Sequence, residues 1–528
     1  MKTNHFFKAA ILLIAATLAG CSNDNIADEM TTPQEETQGM TEFAVAENPV
    51  ETTGEPSNAP GPRRTSGEYT GSAIKFYWTS GDKLWINDGS VLKASKRSNI
   101  PAANGKELTA KFWFDGNYTA PNYPVRYTGN SNTQGDKVTI KAAQAQQTPN
   151  DGSHIGDDGD CGTATATRGA DGKYNFTLAH KASYLTFMPY YSSNLDPTFA
   201  PGFASSVKLT QIKVTTDQPL AGTFDFNDAG IQTYTVTAAS NSITLTLNGG
   251  GTNGFEIPTA IDYSKNAAIM VVNPGSYTNF TVEYTLHDQA TNVTGTVTKN
   301  YGSIACYAGK NKKIAADLAV PNYSNTKWSM WDALQTYWQG HEGTQPRINF
   351  ETGTNYPQSA GDPRWYSTSS AAATNLCASC PNINEMFWYI SDGDAHWDAT
   401  RIWCAWGHLY QGGMWFLKKA YIFVFNSDKW WDGKDYRVEN NNTVYLDMSH
   451  RIRTSTIADA NLYKYFYLPA LENMDEGNWA PVGLNGIYWT STPQNGTTAW
   501  AYSLLFSKDI MQVIARRRME GDVIWAFE

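Results

Sequence analysis

Two stretches in the C-terminal part of the chain combine carboxylates, an amide and an aromatic ring: Asp392-Gly393-Asp394-Ala395-His396-Trp397-Asp398 and Glu472-Asn473-Met474-Asp475-Glu476-Gly477-Asn478-Trp479. Carboxylates and amides take sugar hydroxyls while an indole takes the apolar face of a pyranose. The same oxygens suit a hard cation such as Ca²⁺. Asp392, Asp394, His396, Trp397, Asp398, Asp475, Asn478 and Trp479 are therefore the candidate ligand-binding residues. The competing reading is two solvated turns with Trp397 and Trp479 packed inward. Cys377-Ala378-Ser379-Cys380-Pro381 stands just before a helix pattern, where a helix N-terminus lowers a thiol pKa. A thioredoxin-like site needs a buried strand before it, and Ser370–Thr374 is a poor one. No glycine-rich phosphate loop, H-E-x-x-H, G-x-S-x-G or paired-carboxylate pattern appears. No catalytic residue, metal site or resident cofactor is assigned, and the chain reads as a non-enzyme. His180 reads as a packed, hydrogen-bonded histidine, because no nucleophile pattern accompanies it.

The elements that would hold these residues belong to a chain of 528 residues, enough for two to four domains. A hydrophobic content of 41% with 17% charged residues is globular. A mean hydropathy of −0.45 excludes a polytopic membrane protein. Residues 22–62 carry nine carboxylates and no Lys or Arg, so residues 63–528 hold only −3 of the total charge of −10. A body this close to neutral offers no phosphate-neutralising surface, and no nucleic-acid partner is expected.

Lys2 and Lys8 precede a short apolar run from Ala9 to Gly20. It is too short to span a bilayer and has the build of a secretory signal, residues 1–20. Leu18-Ala19-Gly20-Cys21 resembles the bacterial lipobox, which implies lipidation of Cys21 and, with Ser22 following, an outer-membrane lipoprotein precursor. Residues 21–64 read as an acidic tether too poor in apolar residues to fold alone. Within it only Met40–Val45 has strand character, with Phe43 and Val45 on one face. Arg63-Arg64 follows the proline-rich Ala59–Pro62, where a trypsin-like protease could reach it.

From Glu68 to Leu318, short alternating or β-branched runs such as Ile74–Trp78, Lys137–Ile140, Tyr184–Phe187, Ser242–Leu247 and Phe280–Leu286 alternate with Gly, Asn, Asp and Pro. This spacing predicts β-sandwiches, one over 65–195 and one over 205–321. Trp78-Thr79-Ser80-Gly81-Asp82-Lys83-Leu84, Phe176-Thr177-Leu178-Ala179-His180-Lys181-Ala182 and Tyr307–Ile314 resemble, in this order, motifs of the fimbrillins, the subunits of type V pili. The resemblance implies Greek-key, transthyretin-like sandwiches. It also implies cleavage at an arginine, here Arg63 or Arg64, that removes an N-terminal strand. Met40, Phe43 and Val45 mark that strand. A segment of the next subunit then fills the groove by β-strand addition.

After Pro321 the chain becomes tryptophan-rich, and residues 325–528 predict an α+β domain. Trp328, Trp331, Leu334 and Trp338 are spaced as one helical stripe. Asn382 with Glu385 announces a second helix burying Met386, Phe387 and Ile390. Strands are expected at Tyr421–Phe425, Tyr463–Leu468, Ile487–Thr490, Ala501–Phe506 and Val523–Phe527. Tyr467–Leu471, Gly486–Pro493 and Ala501–Phe506 resemble the C-type-lectin-like modules of bacterial surface proteins. No Glu-Pro-Asn, Gln-Pro-Asp or Trp-Asn-Asp motif accompanies them, so calcium-bridged sugar binding does not follow from that resemblance.

The expected fold class is thus mainly β: two Greek-key (transthyretin-like) β-sandwiches followed by an α+β C-type-lectin-like domain. The expected role is the tip adhesin of a type V fimbria. Its partners would be other pilin subunits, engaged through a donor strand, and a carbohydrate or protein surface ligand. The membrane enters only through the lipid of the precursor, and the mature form sits at the fimbria tip on the cell surface. The tip position is expected because the last strand belongs to the lectin-like module and none is left to give. Two other readings stand beside it. One is a monomeric outer-membrane glycan-binding lipoprotein. The other is an enzyme of the lectin-like superfamily, whose sulfatase-activating members use cysteines.

Overall fold

The computed structural model describes residues 37–45, 66–102, 106–130, 132–193, 202–439 and 445–526, and the chain is mainly β throughout. Cys21, Arg63 and Arg64 lie outside the described residues, as does the signal segment.

Met40–Val45 forms a strand, as its alternation predicts, and it lies inside a sheet rather than beside one. It pairs antiparallel with Lys111–Asp115, Phe43 facing Phe112, and parallel with Tyr174–Phe176, Phe43 facing Tyr174. Phe43 and Val45 point into an aromatic core with Trp78, Leu84, Ile86, Phe112, Phe114, Tyr127 and Phe176. The sheet continues through Gly162–Arg168 and Asn122–Tyr127 to Trp85–Asn87.

The second core ignores the boundary expected between residues 195 and 205. Lys137–Ile140 pairs with Ala221–Asn227, Ala143–Gln146 pairs with Ser242–Leu247, and Ser183–Tyr190 lies between Ala268–Val272 and Asn311–Asp317. Val138, Ile140, Leu185 and Phe187 accordingly share one apolar cluster with Ile212, Leu245, Val271 and Ile314. Two buried glutamines bind this core across its sheets. Gln144 donates to Val271 O (2.7 Å) and accepts from Val271 N–H (2.9 Å); Gln146 does the same with Ala267 O (2.9 Å) and Ile269 N–H (2.7 Å). Each side-chain amide thus stands in for one rung of a β-ladder.

In the last body, Asn382 and Glu385 close a capping box, and the helix Ile383–Asp392 buries Met386, Phe387 and Ile390 as expected. A sheet runs in the order Lys327–Ser329, Asp522–Ile524, Gly486–Pro493, Trp500–Phe506, Met511–Arg517, Leu446–Asp447. A second sheet holds His396–Ala405, His408–Leu417 and Tyr465–Pro469. Three expectations fail here. Trp328–Trp338 is no helix: Trp328 sits in a strand, Asp332 takes φ +49°, and Leu334 is exposed. The tryptophan spacing there serves loop packing. Tyr421–Phe425 is no strand, since a 3₁₀ turn at Lys419–Tyr421 leads into further turns. The last strand is Asp522–Ile524 and ends before Phe527, which is outside the described residues.

Candidate functional site

The leading strand sits in a slot built for an aromatic side chain. The Phe43 ring stacks on Tyr174 (4.5 Å between centroids, 9° between planes) and meets Phe114 (5.2 Å), Tyr118 (5.5 Å) and Tyr123 (6.3 Å) edge-on. Thr41 Oγ1 donates to Gly116 O (2.8 Å), and the Glu42 carboxylate lies 3.4 Å from both Lys111 and Lys173. Met40 N–H donates to Thr37 O, and Val45 N–H to Ala110 O. The strand therefore completes the body at both edges. Withdrawing it would leave two backbone edges unpaired above an aromatic slot.

The Asp392–Asp398 stretch is only partly an exposed loop. Asp392, exposed, ends the helix. His396 is buried and opens a strand, its Nδ1 2.7 Å from Ser455 O and its Nε2 3.3 Å from Asp394. Asp394, at φ +45°, also accepts from Tyr465 OH (2.6 Å) and pairs with the Arg453 guanidinium (2.9 Å). Burial raises its pKa, but these donors outweigh that and hold it below the ordinary carboxylate value. Asp398 accepts from Thr400 N–H (3.0 Å), Arg401 N–H (2.9 Å) and Trp415 Nε1 (3.2 Å), and Arg401 lies over the rings of Trp415 (4.9 Å) and Tyr467 (5.0 Å). Half-buried Trp397 meets Phe506 edge-on. Arg453, Tyr465 and Trp415 are absent from the expected site residues because they reach the stretch from segments distant in sequence, and Arg401, absent too, lies just beyond Asp398 in the same strand, His396–Ala405.

The second stretch divides. Asn478 is exposed, donates to Asp475 O (3.2 Å) and accepts from Thr352 Oγ1; Asp475 pairs with Arg517 at 3.8 Å. Trp479 corrects the expectation of a binding face. It is fully buried against Trp406 (4.7 Å) and Trp328 (5.7 Å), its Nε1 donating to Leu471 O. Among the described residues no group of three or more His, Cys, Asp or Glu is placed to hold a metal ion.

Cys377 lies within the 3₁₀ turn Leu376–Ser379 and Cys380 directly after it; both are buried, with Asp332 N–H donating to Cys377 Sγ (3.2 Å). Burial pushes the Cys377 thiol well above its usual pKa, the reverse of what a thiolate nucleophile needs. His180 is packed as expected, its Nδ1 2.7 Å from Asp160 and its ring 4.2 Å from that of Phe76.

No family model and no curated protein matches the sequence. Similar solved structures include a fimbrial protein from Bacteroides ovatus (11% identity, TM-score 0.26, covering 88% of this chain and 99% of that one). A candidate cell adhesion protein from Bacteroides uniformis has 15% identity and a TM-score of 0.29, covering 53% and 94%. The fimbrial anchor protein Mfa2 from Porphyromonas gingivalis has 9% identity and a TM-score of 0.21, covering 52% and 90%. At these values the likeness carries no weight for function.

Proposed function

We propose that this chain is a fimbrial adhesin of the fimbrillin type, with transthyretin-like sandwiches and a C-type-lectin-like module, exported as a lipoprotein and placed at the fibre tip. The observation that carries this reading is the position of Met40–Val45. It is held on both edges at the heart of the first body, and the sequence after it runs to Arg63-Arg64. Cleavage there would let the strand leave and an extended segment of another subunit replace it, backbone to backbone, with an aromatic or branched side chain in the Phe43 slot. The Asp522–Ile524 strand does not suit a donor role, because it is paired on one side with Lys327–Ser329 and on the other with Tyr488. The C-terminal module then presents Asp394, Asp398 and Asn478 toward a surface ligand, carbohydrate or protein.

The test is the N-terminus of the surface-exposed form, read by mass spectrometry. A start at Arg64 or Thr65, in material that also contains other subunits, supports the fimbrial reading. A lipidated Cys21 on a monomer supports a glycan-binding lipoprotein that never polymerises.

A further inference from the structure

In the C-terminal module, Lys418–Phe425 forms a turn that displays its centre to solvent. Ile422 is buried in the core, and the Phe425 ring packs on Tyr389 (5.6 Å) and Trp388 (6.4 Å) of the helix. Between these two anchors Phe423 is 87% exposed and Val424 62% exposed. Val424 takes φ +56°, a left-handed conformation that a β-branched residue adopts only against steric cost. The turn thus spends backbone strain on showing two apolar side chains to water.

Their surroundings are graded. Tyr421 and Tyr463, both exposed, meet edge-on at 5.9 Å. Lys418 Nζ donates to Tyr463 O (2.9 Å), Lys464 Nζ lies 5.6 Å from the Tyr463 ring, and Lys419 is exposed at the start of the turn. Counted back along the chain from the apex, the order is apolar Val424 and Phe423, then the phenol of Tyr421, then the ammonium groups of Lys419 and Lys418. The same order of preferences is met on crossing a bilayer surface: acyl boundary, interfacial layer, anionic headgroup. The apex is convex and partly aliphatic, whereas sugar sites are concave or flat aromatic faces.

We infer that Phe423 and Val424 insert into the interface of a lipid bilayer bearing anionic headgroups, with Tyr421 and Tyr463 at headgroup depth and Lys418, Lys419 and Lys464 on the phosphates. This contact goes beyond the fimbrial reading and holds whether or not the leading strand is ever exchanged. The test is vesicle co-sedimentation with residues 22–528, which include every described residue and no lipid. Vesicles are phosphatidylcholine alone or with phosphatidylglycerol. The expected result is binding that is stronger with phosphatidylglycerol and falls with salt. Phe423→Ser should lower partitioning about tenfold or more, given what burial of a Phe side chain is worth. Lys419→Glu should remove only the phosphatidylglycerol-dependent part. Val424→Gly should lower binding while leaving the melting temperature unchanged or higher, which a merely structural role would not give. Absence of vesicle binding, or equal binding by wild type and Phe423→Ser, overturns the inference and leaves a protein pocket as the occupant of the apex.

Discussion

Asp288 and His408 meet across the junction of the second and third bodies. The fully buried Asp288 carboxylate lies 3.0 Å from His408 Nδ1 and accepts from Leu409 N–H at 3.0 Å. Thr291 Oγ1 donates to Leu409 O, Ala204 N–H donates to Gly407 O, and Ile402 and Leu409 join the apolar core of the second body. The hairpin of the C-terminal module is thus plugged into the β body. A pull on the module would pass directly into the strands behind it.

From this joint follows a first prediction. Burial raises the Asp288 pKa, but hydrogen bonds from His408, Ser206, Leu409 and Ala290 outweigh it and hold the group at about 2. Its contribution to stability is present above the ordinary carboxylate pKa and lost as pH falls toward 2. Asp288→Ala should cost about 1–3 kcal/mol near neutral pH by leaving Leu409 N–H without its acceptor. In acid the difference should shrink. Calorimetry should also resolve two transitions in the variant where wild type melts the second and third bodies together.

The glutamine brackets give a second. Gln144→Leu keeps the volume but strips partners from Val271 N–H and O, both in the core. Unpaired buried backbone groups cost about 1–3 kcal/mol each. The urea midpoint should fall accordingly, with an unchanged slope, whereas Gln144→Glu, which keeps the acceptor and loses the donor, should fall by a different amount.

Glu472 gives a third. Burial raises its pKa to about 7, although Asn485 donates to it and Arg516 favours its charge. The folded state holds this proton at pH values where the unfolded chain has released it, so stability falls as pH rises from the ordinary carboxylate value to about 7. Glu472→Gln should flatten the melting temperature over that window and raise it above neutrality. An equal pH slope in both proteins would contradict the assignment.

Much of the local structure was legible in the sequence, and the long-range partners were not. Alternation located Met40–Val45 and Ser242–Leu247, and the Asn382/Glu385 box located the helix, because each pattern is decided within a few residues. The Trp328–Trp338 stripe misled because its aromatics anchor an irregular segment: Trp331 Nε1 donates to Thr490 O, far along the chain. Tyr421–Phe425 misleads because an apolar, branched run reads the same in a strand and in a displayed turn; the 3₁₀ turn at Lys419–Tyr421 and the positive φ of Val424 separate them. The crossing of Lys137–Gln146 into the second core is a choice of partner strand, and a register of this kind leaves no mark on either strand alone. At the site, Asp394 and Asp398 were visible as carboxylates, but Arg453, Tyr465 and Trp415 were visible only once the fold brought them near.

A fourth prediction separates the precursor from its processed form. Phe43→Ala empties a slot among four aromatic rings and should destabilise the precursor by about 3–5 kcal/mol. After cleavage and strand exchange the processed protein should unfold as wild type does, since the altered residue has left.

The claim that Met40–Val45 is a replaceable strand is tested most directly by amide hydrogen exchange in Lys111–Asp115 and Tyr174–Phe176, its two pairing partners. For the amides of these segments that face Met40–Val45, the account predicts slow exchange in the precursor, fast exchange after cleavage at Arg63-Arg64 and removal of the strand, and restored protection when an extended peptide from a partner subunit is added, while amides facing Arg97–Ser98 and Gly162–Arg168 stay protected throughout. Protection of the amides facing Met40–Val45 that survives removal of the strand, or that no added strand restores, would contradict it.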